Sequence, residues 1–262
     1  MKHLNTYITE YIIKKKLDEP IDSEDHYEYY PKTKIELINN IKELLYKGET
    51  DLNCIDTSAI TDMSNLFKYV NYLFANINIS NWNVSNVTNM NYMFYNCCKF
   101  DCDLSKWNVS NVTTTIEMFY MCENFKGKGL ENWDVSNVTD MWGMFKSCKN
   151  FNCNLNNWNV SNVKNMFYTF YNCKTFNCDL DNWDVSNVEN MSCMFNGCEK
   201  FEGKGLENWD VSNVKYIDKM FSDCINFTGK GLENWNIRNV TRMNDIFEKC
   251  TSLKNKPSWY KE

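Results

Sequence analysis

NWDVSNVTDMWGMFKSC at residues 132–148 is the phrase that decides the fold, because the chain carries seven copies of it with small changes. The tryptophan of the phrase recurs at intervals of 25 or 26 residues. The seven tryptophans are Trp82, Trp107, Trp133, Trp158, Trp183, Trp209 and Trp235. A degenerate eighth copy precedes them, with Ile55 in place of the tryptophan. Self-similarity at a fixed period of this length is the signature of a repeat protein.

Each copy contains two hydrophobic periods. The run 82–84 alternates apolar and polar residues, which predicts a short strand with one buried face. Met90, Met93, Phe94 and Cys97 recur at i, i+3, i+4 and i+7, which predicts a short helix with one apolar stripe. A single copy cannot bury this stripe, whereas stacked copies can. We therefore expect an α/β, leucine-rich-repeat-like solenoid of about eight coils, each a short strand plus a short helix, with an N-terminal helical cap.

Two other repeated positions have structural explanations. An asparagine follows the strand in every copy, and its amide is suited to bonding turn backbone in a ladder. The ladder consists of Asn86, Asn111, Asn137, Asn162, Asn187, Asn213 and Asn239. The return loop has a short form and a form one residue longer that contains two glycines, such as Gly127 and Gly129. Glycine tolerates the positive φ that a wider turn requires.

The pattern L-x-x-W-[DN]-V-S-N-V-T-x-M-x-x-M-F-x-x-C resembles the BspA-like leucine-rich repeat surface-protein family over about residues 50–253. The resemblance implies an α/β solenoid related to leucine-rich repeats. It also implies protein binding or adhesion, often on the surfaces of bacteria and protozoa. The chain departs from this picture at its start, MKHLNTYITEYIIKKK, which lacks the unbroken apolar core of a signal peptide.

The sequence divides into 1–49, a helical N-terminal cap; 50–253, the repeat solenoid; and 254–262, a C-terminal closing segment that contains Trp259. The cap is predicted to hold one helix over 2–16 and a second over about 33–47. The second helix places Ile35, Ile38, Ile41, Leu44 and Leu45 on one side and stops at Gly48. These helices either cover the first repeat or form a separate partner-binding module.

Composition argues against several classes of partner. Lys plus Arg is 28 against 34 for Asp plus Glu, a formal net charge of −6, which disfavours a surface that tracks nucleic-acid phosphates. The longest apolar runs fall short of the roughly 18 residues that a transmembrane helix needs, so we expect no membrane insertion. The expected location is intracellular, where cysteine thiols stay reduced.

The chemistry of an enzyme or metal site is poorly represented. His3 and His26 are the two histidines, and both precede the repeats, so a histidine-based catalytic site is not expected. The cysteines recur at fixed repeat positions without C-x2-C pairs, which favours small buried residues over zinc ligands. Asp179, Asp181 and Asp184 suggest calcium or, as we prefer, a solvated edge. We expect no catalytic residues, no metal and no cofactor.

A partner site is sought where the copies differ. One face of the predicted helices is aromatic in the earlier copies and polar in the last three, and exposed aromatic side chains commonly anchor interfaces. The candidate partner-binding residues are Tyr92, Tyr95, Tyr120, Trp142, Phe167, Tyr168 and Tyr171. The alternative is that the N-terminal helices or the neighbouring helices cover this face. A polar strip from Asn83 to Asn236 is a second surface, best interpreted as a solvated sheet face.

These observations predict a non-enzymatic protein–protein interaction scaffold that binds a protein partner of unknown identity. The family resemblance supports an alternative, an exported surface adhesin that binds host protein or glycan. A self-assembling structural protein, joined end to end or through the aromatic face, is the third interpretation.

Overall fold

The computed structural model describes residues 27–68 and 77–261. Helix α1 spans Lys34–Tyr46. Short 3-10 helices span Leu130–Asn132, Leu206–Asn208 and Leu232–Asn234. Strand-type pairing in the described ranges consists of isolated parallel bridges. The predicted helix over 2–16 and both histidines lie outside the described residues.

Consecutive copies of the repeat lie side by side in register. Parallel bridges connect one residue in each copy with its equivalent in the next. The bridged series runs through Asp62, Asn89, Thr114, Asp140, Asn165, Asn190, Tyr216 and Arg242. The chain is therefore a stack of tandem repeats, as the period of the tryptophans predicts.

The predicted short helix in each copy is wrong. The eight residues from the first apolar stripe position to the cysteine (90–97 in the Trp82 copy) form consecutive tight turns, and we call these eight residues the turn segment. Within it, the N–H of Tyr95 donates to the carbonyl of Tyr92 at 3.1 Å. The N–H of Phe94 instead donates to the carbonyl of Met118 in the next copy, at 2.9 Å. Alternate amides thus bond to the neighbouring copy.

Backbone conformation explains why these segments are not helices. The third and seventh residues of a turn segment adopt positive φ, for example Tyr92 at 58° and Asn96 at 62°. Left-handed residues interrupt a right-handed helix. The periodicity nevertheless identified the buried side, because Met90, Met93 and Phe94 are fully buried. The same four-residue stripe can therefore be buried by turns as well as by a helix.

The predicted strand at 82–84 is also absent. Asn83 Oδ1 accepts the backbone N–H of Ser85 at 3.1 Å, which closes a turn. The parallel bridge of this copy lies further along the chain, at Asn89. Local side-chain to backbone bonds of this kind compete with strand pairing.

Ladders of identical residues form the core. Adjacent phenylalanines stack, as in Phe94 and Phe119, whose ring centroids are 5.3 Å apart with an interplanar angle of 6°. Each of the seven repeat tryptophans donates its Nε1 hydrogen to a leucine or isoleucine carbonyl of the preceding copy, as in Trp158 to Leu130 at 2.7 Å. Trp259 continues this ladder, since it stacks on Trp235 at 6.5 Å and donates to Leu232 at 2.7 Å.

Polar ladders hold neighbouring copies together. The asparagine ladder is confirmed, because each amide donates to a serine carbonyl of the preceding copy, as Asn162 does to Ser136 at 2.7 Å. The cysteine at the end of the turn segment also bonds to the preceding copy. Cys173 Sγ donates to the backbone carbonyl of Phe145 at 2.9 Å. The same cysteine bond occurs at Cys122, Cys148, Cys198, Cys224 and Cys250.

The longer return loops require glycine, as predicted. Gly127 and Gly129 have φ of 88° and 92°. A Cβ at Gly129 would lie 2.2 Å from the backbone nitrogen of Ser105, so the loop approaches the preceding copy too closely for any side chain.

The second predicted helix is confirmed as α1. Thr33 begins it by accepting the N–H of Glu36 at 3.2 Å, and Gly48 follows it with φ of 83°. Its buried residues are Leu37, Ile41, Leu44 and Leu45. The predicted stripe was wrong at Ile35, which is 72% exposed, and did not include the fully buried Leu37.

Candidate interaction surface

The seven predicted partner-binding residues lie in four consecutive turn segments, 90–97, 115–122, 141–148 and 166–173. All seven are half-buried. We call them the aromatic strip: Tyr92, Tyr95, Tyr120, Trp142, Phe167, Tyr168 and Tyr171. Because the repeats stack in register, equivalent positions follow one another along the stack, and residues far apart in sequence become neighbours.

One group of contacting rings links the turn segments 90–97 and 115–122. The ring centroids of Tyr92 and Tyr95 are 6.0 Å apart. Tyr95 then contacts Tyr120 of the next copy, with centroids 4.7 Å apart. The copy-to-copy contact therefore arises between equivalent positions of the repeat.

A second group of contacting rings links the turn segments 141–148 and 166–173. Trp142 stacks on Phe167 at 6.3 Å. Phe167 contacts Tyr168 at 3.9 Å, and Tyr168 meets Tyr171 edge to face at 5.0 Å. The Trp142–Phe167 and Tyr168–Tyr171 distances are in the range of favourable aromatic pairs, and the Phe167–Tyr168 contact is closer.

Two lysines, Lys68 and Lys146, place their ammonium groups over tyrosine rings of the aromatic strip. The sequence analysis did not predict either lysine as part of the site. Lys146 Nζ lies 5.0 Å from the ring centroid of Tyr120 and 4.6 Å from that of Tyr168, so it bridges the two groups. Lys68 Nζ lies 4.9 Å from Tyr92 and 4.8 Å from Tyr95. The sequence did contain a signal for them, because Lys68 and Lys146 occupy the same repeat position as Tyr95. Cation–π attraction is stronger where the cation is partly desolvated.

The charge on Lys146 is compensated within the strip. Glu117 Oε1 lies 3.7 Å from Lys146 Nζ, and the Glu117 side chain is only 12% exposed. Burial raises the pKa of Tyr92, Tyr95 and Tyr168, so their phenols remain neutral hydrogen-bond donors at neutral pH. The surface is thus apolar rings with polar tips around a paired cation.

Trp142 carries a donor that the described residues do not use. Its Nε1 is buried and has no hydrogen-bond acceptor among them. Its backbone N–H is held by Asp140 Oδ1 at 2.9 Å. The indole is consequently fixed at its base while its N–H remains unpaired, a situation that normally costs free energy.

The aromatic strip ends where polar residues take over the repeat positions. Ser192, Asp218 and Asn244 replace Trp142 and Phe167 in the later copies. Asp218 is well ordered by its neighbours, since it accepts the N–H of Asn244 at 3.1 Å and pairs with Arg242 Nε at 3.1 Å. The later copies therefore present a bonded polar surface.

The second candidate surface, the polar strip from Asn83 to Asn236, performs a structural task. Each member accepts a backbone N–H two residues later, as Asp134 does from Ser136 at 3.0 Å. The same bond occurs at Asn83, Asn108, Asn159, Asp184, Asp210 and Asn236. These exposed oxygens close turns, so the face is solvated as predicted but is not the face of a sheet.

The thiols and the acidic loop have local structural partners. None of the thirteen cysteines, all within the described residues, forms a disulfide. Burial raises the pKa of Cys97 to about 12, which keeps this thiol protonated. Asp179 accepts the backbone N–H of Asp181 at 3.0 Å. Across 27–68 and 77–261, His, Cys, Asp and Glu side chains form no group of three that could hold a metal ion.

The fold and this surface define a tandem-repeat protein whose copies stack in register. A family described as Mycoplasma protein of unknown function, DUF285, matches at residues 36–129, 117–206 and 179–261, and the chain belongs to this family. The three matches overlap and together span residues 36–261. No curated protein matches the chain. In the described part of the chain, no helix has the length and apolar character that crossing a membrane requires.

Proposed function

We propose that the chain is a non-enzymatic protein–protein interaction scaffold, a leucine-rich-repeat type solenoid of eight coils with α1 as its N-terminal cap. The bridges between equivalent residues and the shared ladders support the solenoid. The burial of Leu37, Ile41 and Leu44 of α1 against the core supports the cap. The resemblance to BspA-like proteins belongs to this proposal as well.

The observation that carries the interaction role is the continuity of the aromatic strip. Seven rings from four copies are linked by ring contacts and by Lys146 into one surface. The rings are held by the backbone of stacked turns, so little conformational freedom is lost on binding. Aromatic residues that are partly buried and rigid make effective interface anchors.

The proposal of a scaffold rather than an enzyme follows from how the polar side chains are used. Cysteine, asparagine and aspartate at repeated positions are engaged in bonds to backbone groups of their own or neighbouring copies. Such side chains contribute to the fold and are not free for proton transfer or nucleophilic attack.

An exported adhesin is the second candidate. The family resemblance favours it, whereas thirteen cysteines that form no disulfide in the described part of the chain favour a reducing compartment. We propose the intracellular location. Fractionation of native cells followed by protease treatment of intact cells separates the two locations: digestion of the chain on intact cells would place it at the surface, as the adhesin requires, and would overturn the intracellular location.

The aromatic strip is tested by affinity capture from the native source with the full chain as bait. Tyr95→Ala, Trp142→Ala and Tyr171→Ala, combined, are expected to lose the captured protein. The matched control is Tyr46→Ala, because Tyr46 is an aromatic residue on α1 that is 94% exposed. Thermal unfolding of each variant verifies that the fold is intact.

The outcomes are distinct. Loss of the captured protein with the strip variant and retention with the control supports the scaffold and its site. Equal capture by both variants would show that the partner binds elsewhere on the stack. Turnover of a substrate by the purified chain would overturn the non-enzymatic proposal.

A further inference from the structure

The backbone beneath the second group of rings in the aromatic strip is already paired. The N–H of Trp142 donates to Asp140 Oδ1 at 2.9 Å, and its carbonyl accepts the N–H of Glu117 at 2.8 Å. Both backbone groups are bonded in the same way at the other members of the group, which are Phe167, Tyr168 and Tyr171. A partner that adds a strand needs unpaired backbone groups, so this surface does not suit strand addition. Recognition there depends on side chains.

Lys146 places an ammonium group among these rings without a hydrogen-bond acceptor. Its side chain is only 23% exposed, and Glu117 Oε1, at 3.7 Å, lies beyond hydrogen-bond distance. No residue in 27–68 or 77–261 accepts a hydrogen bond from Lys146 Nζ, whereas Lys149 Nζ donates to Glu123 Oε1 at 2.6 Å. A donor that is held mostly out of water gains stability from an acceptor that a partner brings.

The charge of this site favours an uncharged acceptor over an anion. Lys146 and Glu117 carry opposite charges, so together they leave no net positive charge to attract an anionic group. A carboxylate brought to Lys146 would also be repelled by Glu117, whose side chain is only 12% exposed. The backbone carbonyl is the uncharged acceptor that every residue of a partner protein carries.

The spacing of the rings suits a segment in the polyproline II conformation. Tyr120 and Tyr171 occupy the same repeat position two copies apart, and Lys146 Nζ lies between them, 5.0 and 5.9 Å from their ring centroids. Two copies of laterally hydrogen-bonded backbone rise by about 9.6 Å. One turn of polyproline II, three residues long, rises by about 9.3 Å and leaves its carbonyls without internal hydrogen bonds. Because proline has no N–H, such a segment offers acceptors and apolar rings but no backbone donors.

We propose that the aromatic strip binds a proline-rich segment of a partner protein in the polyproline II conformation. Prolines three residues apart pack on Tyr120 and Tyr171, and a carbonyl between them accepts a hydrogen bond from Lys146 Nζ. This inference rests on the proposed function, in which the strip is the protein-binding site. The segment is already extended and stacked turns hold the rings, so little conformational freedom is lost on binding.

The test is the fluorescence anisotropy of a labelled oligoproline peptide of about twelve residues, titrated with the full chain. Saturable binding is expected, at least about tenfold tighter than that of a labelled glycine–serine peptide of equal length. Tyr120→Ala with Tyr171→Ala is expected to weaken oligoproline binding by about tenfold or more. The matched control is Asn196→Ala, at the same repeat position in the next copy, which is expected to leave the affinity unchanged. Thermal unfolding of each variant verifies the fold.

A second variant tests the uncharged acceptor. Lys146→Met with Glu117→Gln removes the donor and its carboxylate together and is expected to weaken oligoproline binding by about threefold or more. Absence of oligoproline binding, unchanged affinity of a folded tyrosine variant, or tighter binding of a glutamate-rich peptide of equal length overturns the proposal. Affinity capture through the strip is measured separately. If capture still depends on the strip when oligoproline does not bind, the scaffold stands and only the proline-rich partner is wrong.

Discussion

The cysteine that ends each turn segment combines burial with a hydrogen bond between copies. Cys250 Sγ donates to the carbonyl of Phe221 at 2.9 Å, and its side chain is buried. A serine would make a similar bond but would bring a more polar group into the core, and an alanine would make none. The thiol satisfies both requirements, which explains its repetition without any redox or metal role.

Alkaline pH is predicted to destabilise the fold through these thiols. Burial raises the pKa of Cys250 to about 12 from an ordinary value of about 9. The unfolded chain therefore loses the proton first, so the stability that the thiol provides is complete below about pH 9 and is lost as pH rises toward 12. Each such group changes the free energy of unfolding by about 1.4 kcal/mol per pH unit in this window.

Urea unfolding between pH 7 and pH 11 measures this slope. Cys250→Ala is expected to lower the free energy of unfolding at pH 7 by about 1–2 kcal/mol and to make the decline above pH 9 shallower. Cys98→Ala is the matched control, because Cys98 is exposed. A variant slope equal to that of the unchanged chain would show that Cys250 ionises normally in the fold.

The turn segment shows what sequence periodicity can and cannot determine at the level of one element. The spacing i, i+3, i+4, i+7 identified Met90, Met93 and Phe94 as buried, and they are. It did not identify the conformation, because a run of turns can bury the same positions. The signal for positive φ was partial, since Asn96 and Gly143 are residue types that favour this conformation whereas Tyr92 and Met121 are not.

The aromatic strip was predictable for a related reason. Comparing equivalent positions between copies needs only the repeat register, and all seven rings lie in neighbouring turn segments. Lys146 and Lys68 were not included because a lysine at a mostly aromatic position resembles a solvated surface residue. Only the stacking geometry places both ammonium groups within 5.0 Å of tyrosine rings.

Left-handed backbone at the seventh turn position leads to a prediction at Met121, where φ is 58° and the side chain is 37% exposed. Met121→Val is expected to lower the free energy of unfolding by about 1–2 kcal/mol, since a β-branched residue is strained at positive φ. Met121→Asn is expected to be neutral or to raise it by a few tenths of a kcal/mol, since asparagine tolerates this conformation. Chemical denaturation measures both. Equal effects of the two substitutions would contradict the left-handed turn.

Helix α1 supplies a matched pair for the proposed cap. Ile41 is 1% exposed, whereas Ile35 on the same helix is 72% exposed. Ile41→Asn is expected to lower the free energy of unfolding by about 3 kcal/mol or more, because it buries an unsatisfied amide in place of packed methyl groups. Ile35→Asn is expected to change it by less than about 0.5 kcal/mol. If both variants unfold alike, α1 does not cover the first copy in solution.

At the scale of the whole molecule, each copy contacts only its neighbours, so stability accumulates along the stack. The inner copies have partners on both sides. The first described copy has α1 on one side, and the last has Trp259 and Tyr260 near its Phe247. The sequence period predicted this stack, whereas the bonding of alternate turn-segment amides to the next copy depends on turn geometry that the sequence pattern did not reveal.

This arrangement predicts a gradient of hydrogen-exchange protection along the chain. The N–H of Phe145 donates to Thr169 at 2.9 Å between two neighbouring copies, whereas Phe247 has no backbone acceptor among the described residues. Opening at 243–250 is therefore expected to require at least about 2 kcal/mol less than opening at 141–148. Exchange followed by mass spectrometry at low protein concentration measures both segments. Equal protection of both segments at low concentration would show that the whole stack opens as one unit.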